Sequence, residues 1–335
     1  MFFKRDSQKD ELKNEIEELK KEIASCKKEI KSSKKQISRL KSMRKNDEKI
    51  FETHHDYFTT LFLDYELKPK GILKDMQELS QEILDFEVNV CNKHDLTYWI
   101  SAGTLLGAHR HKGFIPWDDD MDMGLIRKDY IKLCEVTPDE IKNNNAEDFF
   151  TFRVHPMVRE NFVFPFTRLE CVTENKDFLA GIDITPYEYS KTNEFELKEF
   201  RDFRDEFFIR LSGGENIETI VDDMYERFNL DYDSGDYIIK NPTYIRHARH
   251  YNKEVACWDI DRFLPVGKIE FNGKKYNCPR DPGYFLVADY DDFMQIPKIL
   301  IDQHYSVNKL RRIENIDEIY KDVIEKVKEC NENFE

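Results

Sequence analysis

Four carboxylates fall within five residues, at Asp118, Asp119, Asp120 and Asp122, directly after a Pro116-Trp117 turn signal. Side chains alternate faces along a strand, so a strand opening here would place Asp118, Asp120 and Asp122 on one face, with Gly124 after them. Met121, Met123 and Leu125 would point the other way, into apolar packing. Three carboxylates on one face repel each other unless positive charge lies between them, and the simplest candidate is a hard divalent cation. Oxygen donors favour Mg²⁺ over zinc, with Mn²⁺ as the alternative ion. Upstream, Gly103-Thr104 separates an apolar strand candidate at 98–102 from a short apolar helix with a basic end at 105–112. Such a turn offers free backbone N–H groups at a helix start, a seat for phosphate. Metal beside phosphate points to transfer of a phosphate-bearing group. Arg110, His111 and Lys112 close that helix and are candidates to neutralise phosphate oxygens, the bland alternative being exposed loop residues. A solvated acidic loop is the competing reading of 118–122, and Met121, Met123, Leu125 and Ile126 speak against it.

The elements that must hold these residues can be read on either side. Residues 71–93 carry Ile72, Leu73, Met76, Leu79, Ile83, Phe86 and Val90 at helical spacing, an amphipathic helix to pack beside the first strand. A helix at 128–136 follows the acidic strand, and 139–148 is polar and looser. Short strands are expected at 149–154, 162–168 and 179–185, the last stopped by Pro186. Asp183 is a lone carboxylate in an apolar strand, costly to bury alone. Either an Arg or hydrogen bonds pair with it, or it is a third metal-site carboxylate from a neighbouring strand. Arg168 is a candidate phosphate clamp or an ordinary ion-pair partner. An all-helical insertion spans about 190–250, broken at Ser212-Gly213-Gly214. Asp231-Tyr-Asp-Ser-Gly235 imitates a calcium loop, but its twelfth position is Pro242, so a plain loop is expected. Arg246, His247, Arg249 and His250 form a basic cluster that could meet an anionic substrate or stay solvated. Asn272-Gly273 signals a hairpin within 263–297, and a charged helix at 313–330 closes the chain.

Residues 8–45 read as a coiled coil. Ile16, Ile23, Ile30 and Ile37 recur every seven residues, and Leu12, Leu19, Cys26, Ser33 and Leu40 fill the complementary positions. Isoleucine at a and leucine at d favour a parallel dimer, hence a homo-oligomer. The first 49 residues carry 16 Lys/Arg and 10 Asp/Glu, +6 within a chain of net charge −15. Residues 27–45 hold nine Lys/Arg and one Glu, which suits either a solvated coil surface or peripheral contact with an anionic membrane face. The overall acidity argues against a nucleic-acid partner. His54 and His55 would diverge by about 100° on a helix, against joint chelation. Seven scattered cysteines without a CxxC pair indicate a reducing cytoplasm. No apolar run is long enough to span a membrane, and the first residues lack a signal-peptide pattern. The expected organisation is a coiled coil at 1–50, a connecting segment at 51–70, and a catalytic domain at 71–335.

Gly103-Thr-Leu-Leu-Gly-Ala108 and Arg110-His-Lys-Gly-Phe-Ile-Pro-Trp-Asp-Asp-Asp-Met-Asp122 together closely resemble the LicD (phosphocholine transferase) family, whose fukutin-like branch shares the Trp-Asp-x-Asp-x-Asp core. The likeness runs from about residue 71 to 297. It takes in Gly181-Ile-Asp-Ile-Thr-Pro186, similar to the family's second acidic strand, and Ile269-Glu-Phe-Asn-Gly273 of a late hairpin. The resemblance implies an α/β (α+β) nucleotidyltransferase-like mixed sheet flanked by helices. It implies Mg²⁺-dependent transfer of phosphocholine or a phosphopolyol from a CDP-linked donor to a sugar hydroxyl of a cell-surface glycan acceptor. Asp120 and Asp122 would then be the metal-binding Asp-x-Asp pair, Asp183 the third carboxylate, Asp118 an additional acid, and Gly103-Thr104 the phosphate-binding turn. Two other classes stay in play: nucleotidyl transfer from an NTP, and a non-catalytic coiled-coil scaffold with a binding module.

Overall fold

The computed structural model describes residues 2–61, 68–154, 157–159, 162–164, 167–242, 255–290, 292–295 and 307–334. The chain divides into two compact units, 1–67 and 68–335. The first contains one helix, α1 (Phe2–Leu61), which runs through both the heptad stretch and the aromatic segment expected to connect it. Neither Gly nor Pro interrupts those 60 residues, so nothing local ends the helix. His54 and His55 lie within it.

The second unit opens with α2 (Ile72–Lys93), β1 (Tyr98–Ile100), α3 (Ala102–His111), β2 (Met121–Ile126) and α4 (Arg127–Asn143). Next come β3 (Phe150–Arg153), the hairpin of β4 (Met157–Arg159) and β5 (Phe162–Phe164), then β6 (Thr167–Val172) and β7 (Phe178–Ser190). The insertion holds α5 (Leu197–Ser212), α6 (Ile217–Arg227), β8 (Leu230–Asp231) and β9 (Tyr237–Lys240). The chain ends with β10 (Cys257–Asp259), α7 (Ile260–Phe263), β11 (Gly267–Phe271), β12 (Lys274–Cys278), α8 (Pro282–Tyr290), α9 (Val307–Leu310) and α10 (Ile316–Glu332).

The main sheet runs β1-β2-β7-β6-β3, with β8 and β9 on the later half of β7 and β10 on β9. The β2–β7 pair is parallel and the other described pairs are antiparallel, so the sheet is mixed, as expected. One face carries Tyr98, Ile100, Met121, Met123, Leu125, Ile182, Ile184, Leu169 and Cys171, all buried. They share a core with Met76, Leu79, Ile83, Phe86 and Val90 of α2, Leu133 of α4 and Tyr320 of α10. At about 1.5–3 kcal/mol per fully buried large apolar side chain, this face supplies much of the folding free energy.

Several sequence expectations are corrected. The strand at 179–185 does not stop at Pro186 but continues to Ser190. Pro186 lies opposite Leu125 on one side, and on the other it falls between the end of β6 at Ile184 and the start of β9 at Tyr187. Its missing N–H therefore costs the ladder nothing. The fourth helix extends through Pro138 into the stretch read as loose. The insertion is not all helical. α5 and α6 build a satellite core of Phe200, Phe203, Phe207, Ile220, Met224 and Phe228, and β9 then returns to the main sheet. Its anchor is Glu188 on β7, fully buried, which pairs with Arg127 and accepts hydrogen bonds from Tyr225 Oη (2.6 Å) and Asn241 Nδ2 (3.1 Å). Asn272-Gly273 forms the expected hairpin turn, both residues at positive φ. Asp231, expected in a plain loop, instead ends β8 opposite Tyr189, and its Oδ1 accepts the N–H groups of Asp233 and Ser234 in the turn that follows. The cluster Arg246, His247, Arg249 and His250 lies outside the described residues.

Glu87 of α2 is fully buried beside Thr137, whose hydroxyl donates to Oε2 at 3.1 Å, while Oε1 has no hydrogen-bond partner among the described residues. Burial outweighs that bond and pushes its pKa up to about 8. The folded state therefore holds a proton that the unfolded chain releases near 4.5. This contribution to stability is complete below about 4.5 and is lost as pH rises through about 8. Thermal melts from pH 5 to 8.5 should show a decline in the native chain that Glu87→Gln flattens, a difference on the order of a few kcal/mol at the upper end. Parallel melting curves for the two proteins would refute a buried neutral acid here.

Candidate active site

The site is assembled where β1, α3 and β2 meet. β1 ends at Ile100, Ser101 is extended, and α3 begins at Ala102, three residues earlier than the sequence expectation. Ala102 takes a left-handed φ of 43°, which turns the chain abruptly from strand to helix. Two hydrogen bonds tie this turn to β2. Ser101 N–H donates to the carbonyl of Asp122 at 3.1 Å, and Asp122 N–H donates to Thr104 Oγ1 at 2.7 Å. Thr104 is buried and serves to lock the helix start against the acidic strand. Ser101 gives α3 no side-chain cap, so its side chain does not occupy the first N–H groups of the helix.

Gly103 is where those carboxylates converge. A Cβ there would lie 3.0 Å from Asp118 Oδ2 and 3.8 Å from Asp122 Oδ2, so any other residue would crowd Asp118 while leaving Asp122 in ordinary contact. The expected alternation along 118–122 is corrected. β2 starts only at Met121, because the turn after Pro116 extends further, with Asp118 N–H donating to the carbonyl of Ile115 at 2.9 Å. Asp118, Asp119 and Asp120 therefore lie in a loop, and one carboxylate oxygen of each is within 4.8 Å of the others. Asp119 and Asp120 are buried. Asp119 is a member that strand alternation had assigned to the opposite face.

Asp122 stands directly beside Asp183 in the parallel β2–β7 register, two buried carboxylates on one face of neighbouring strands. Across the antiparallel β6–β7 pair, Asp183 faces Arg168. The guanidinium binds it at both oxygens, Nε to Oδ1 at 2.5 Å and Nη2 to Oδ2 at 3.0 Å. The ladder continues through Glu170, 3.7 Å from Arg168 and 2.6 Å from Arg153. Of the two features expected of Asp183, the Arg partner is present, and a second acid, Asp122, stands beside it.

Arg110, His111 and Lys112 are not brought to this cluster. They sit at the C-terminal end of α3, roughly 10 Å along the axis from Gly103. Arg110 Nη1 donates to the carbonyl of Phe293 at 2.9 Å, and Lys112 is the left-handed C-cap whose carbonyl accepts Asn272 N–H at 2.7 Å. Burial, followed by the nearby Arg110 charge, holds the His111 pKa below its usual value. The sequence reading also missed Gln77 on α2, whose Nε2 donates to the Asp118 carbonyl at 2.7 Å and so holds the acidic loop. Its signal was faint: a polar residue one step from the apolar stripe.

The cluster is oxygen-only, buried at Asp119, Asp120 and Asp122 and half-buried at Asp118, and set at a helix N-terminus, a donor set suited to a hard cation beside a phosphate. Residues 95–212, which contain all of it, match a family model. The match is to LicD/FKTN/FKRP, nucleotidyltransferase domain. Among curated proteins, the chain is 39% identical over 83 residues to lipopolysaccharide cholinephosphotransferase LicD of Haemophilus influenzae, covering 24% of this chain and 31% of that protein. It is 41% identical over 55 residues to human ribitol 5-phosphate transferase FKRP, covering 16% and 11%. To human ribitol-5-phosphate transferase FKTN it is 35% identical over 51 residues, covering 15% and 11%. Each match spans less than a third of the relative's length. The matched segment runs from β1 through α5 and so takes in α3, β2 and β7, while α1, α2 and everything from α6 onward lie outside it.

Arg168→Ala leaves the buried Asp183 carboxylate without its guanidinium. Denaturant titration is expected to show a loss of about 3–5 kcal/mol. A loss below about 1 kcal/mol would show that the pair is not a buried structural bond.

Proposed function

We propose that the chain is a phosphotransferase that moves phosphocholine or a phosphopolyol from a CDP-linked donor to a sugar hydroxyl of a surface glycan such as lipopolysaccharide, teichoic acid or capsule. The observation that carries this reading is the meeting of the Asp118 and Asp122 carboxylates over Gly103 at the start of α3. The match to the LicD-type domain supports the same reaction class. The donor diphosphate lies against the first N–H groups of α3, where the helix dipole favours negative charge. Asp120 and Asp122 would hold Mg²⁺, or Mn²⁺ in its place, with Asp183 as the neighbouring third carboxylate and Asp118 at the rim. When bound, the ion neutralises charge on the diphosphate and on the leaving nucleotide. Asp118 or Asp183 accepts the proton of the attacking hydroxyl. Arg168 fixes the orientation of Asp183 through its two hydrogen bonds. Thr104 and Gln77 keep the helix start and the acidic loop in register.

The seven cysteines are free thiols, which fits action in a reducing cytoplasm, and peripheral association with the inner membrane face is part of the proposal. Among the described residues, no helix is long and apolar enough to cross a membrane.

The test offers the purified chain CDP-choline, CDP-ribitol, CDP-glycerol and CTP with Mg²⁺, with and without EDTA and a glycan acceptor. CMP release from one CDP donor, lost with EDTA and reduced by at least about a hundredfold in Asp120→Asn and Asp122→Asn, is the expected result. Pyrophosphate release from CTP would instead establish nucleotidyl transfer. Full activity in both Asn variants would remove the carboxylates from the mechanism.

A smaller change probes the cradle itself. Gly103→Ala places a methyl group 3.0 Å from Asp118 Oδ2 and should lower kcat/KM by roughly tenfold or more while the fold is kept. Unchanged kinetics would mean that Asp118 can move away without consequence.

A further inference from the structure

The long helix α1 carries a row of apolar side chains turned to solvent. Leu19, Ile23, Ile30, Ile37, Leu40, Met43 and Ile50 are each 46–63% exposed, although side chains of this kind favour burial. The heptad assignment puts Ile16, Ile23, Ile30 and Ile37 at a and Leu12, Leu19, Cys26, Ser33 and Leu40 at d. The flanking positions are what select the partner. Position e is Lys at 13, 20, 27, 34 and 41 in succession, and position g is Glu at 15, 22 and 29. In a parallel in-register pair, g of one helix meets e of the next heptad on the other helix. Glu15, Glu22 and Glu29 then oppose Lys20, Lys27 and Lys34 of the second copy, on both sides of the seam. In an antiparallel pair, g opposes g and e opposes e, which stacks Glu against Glu and Lys against Lys. The seam also has a defined end, because the next a and d positions are Arg44 and Asp47.

We propose that residues 12–43 of α1 are a self-association surface, and that its occupant is a second copy of this chain in a parallel, in-register two-stranded coiled coil. The apolar row supplies the affinity, and the Lys-at-e, Glu-at-g pattern fixes the direction. In the single helix, Lys20 is bound to Glu17 at 2.9 Å, an exposed pair whose loss costs little on dimerisation. The proposal is independent of the reaction assigned above, and none of its residues belongs to the LicD-type domain.

Sedimentation of the full chain at micromolar concentration should give twice the 40.2 kDa chain mass. Ile23→Lys with Ile30→Lys should weaken association by at least roughly a hundredfold. Direction is read by placing one cysteine at the end of the seam, Leu19→Cys in a Cys26→Ser background, and adding a short bismaleimide. A parallel dimer links the two cysteines. An antiparallel dimer opposes d to a, so it sets Ile37 of the other copy opposite and separates the two cysteines by roughly 27 Å, and no link forms. A monomer, a trimer, or a dimer that cannot be linked at position 19 would each overturn the proposal. A monomeric chain that pellets with anionic phospholipid vesicles would overturn it in favour of a membrane-facing stripe. Retention of the native melting transition in the Lys variant separates lost association from lost folding.

Discussion

The register between β2 and β7 sets Asp122 beside Asp183, and most of the second unit can be understood as what this pairing requires. Two carboxylates on adjacent strands, both buried, repel each other strongly at low dielectric. The sheet answers with Arg168, brought opposite Asp183 by the antiparallel β6–β7 ladder. The start of helix α3 approaches the same acids, with oxygens of Asp118 and Asp122 within 4 Å of where a Gly103 side chain would begin. Shifting β2 by one residue would turn Asp122 into the apolar core and send Met121 to the polar face. Met121, Met123 and Leu125 therefore protect the site by making that slip costly.

The two ends of the same face are used differently. Asp122, Asp183, Arg168, Glu170 and Arg153 form a polar row, whereas two residues along β2 the face becomes aromatic. Trp99 and Tyr187 pack edge to face at 5.0 Å over Gly124, where a Cβ would collide with Trp99 Nε1 at 2.5 Å. Trp258, Phe263 and Phe285 extend this packing, and the Lys240–Asp289 pair on β9 and α8 closes it. A rigid aromatic floor beside the polar row keeps the carboxylates from relaxing apart. The buried Glu188–Arg127 pair does comparable work for the insertion, because removing either partner would strand a charge in the core.

Much of this was legible in the sequence, and the misses share a physical cause. Helix α2, the Asn272-Gly273 hairpin and the heptad row on α1 follow from local periodicity or turn chemistry. The chemical cluster was visible as residue types, but its geometry was not, because the turn at Pro116 carries the chain past Asp120 before the pleat begins. The chemistry of Pro186 by itself predicts a stop, whereas the gap between two neighbouring strands decides whether its N–H is needed. Arg168 facing Asp183 is a matter of register between segments 15 residues apart. No pattern within either strand encodes it. The same holds for Gln77, whose partner lies 41 residues away.

Charge bookkeeping at the cluster adds weight to the proposed cation. Asp118, Asp119, Asp120, Asp122 and Asp183 bring five carboxylates into one neighbourhood, and Arg168 divides its guanidinium between Asp183 and Glu170. A helix N-terminus contributes about half a unit of positive charge. An acid cluster of this size is costly to hold buried, and a fold gains nothing structural from it that hydrophobic residues could not supply at lower cost. The burial of Asp119 and Asp120 is therefore easiest to understand as pre-organisation, in which the fold bears the repulsion so that a divalent ion and a diphosphate meet ready-placed oxygens and N–H groups. On this view the strained turn at Ala102, the absent side chain at Gly103 and the hydroxyl of Thr104 are three consecutive parts of one device, each holding the helix start against the acids.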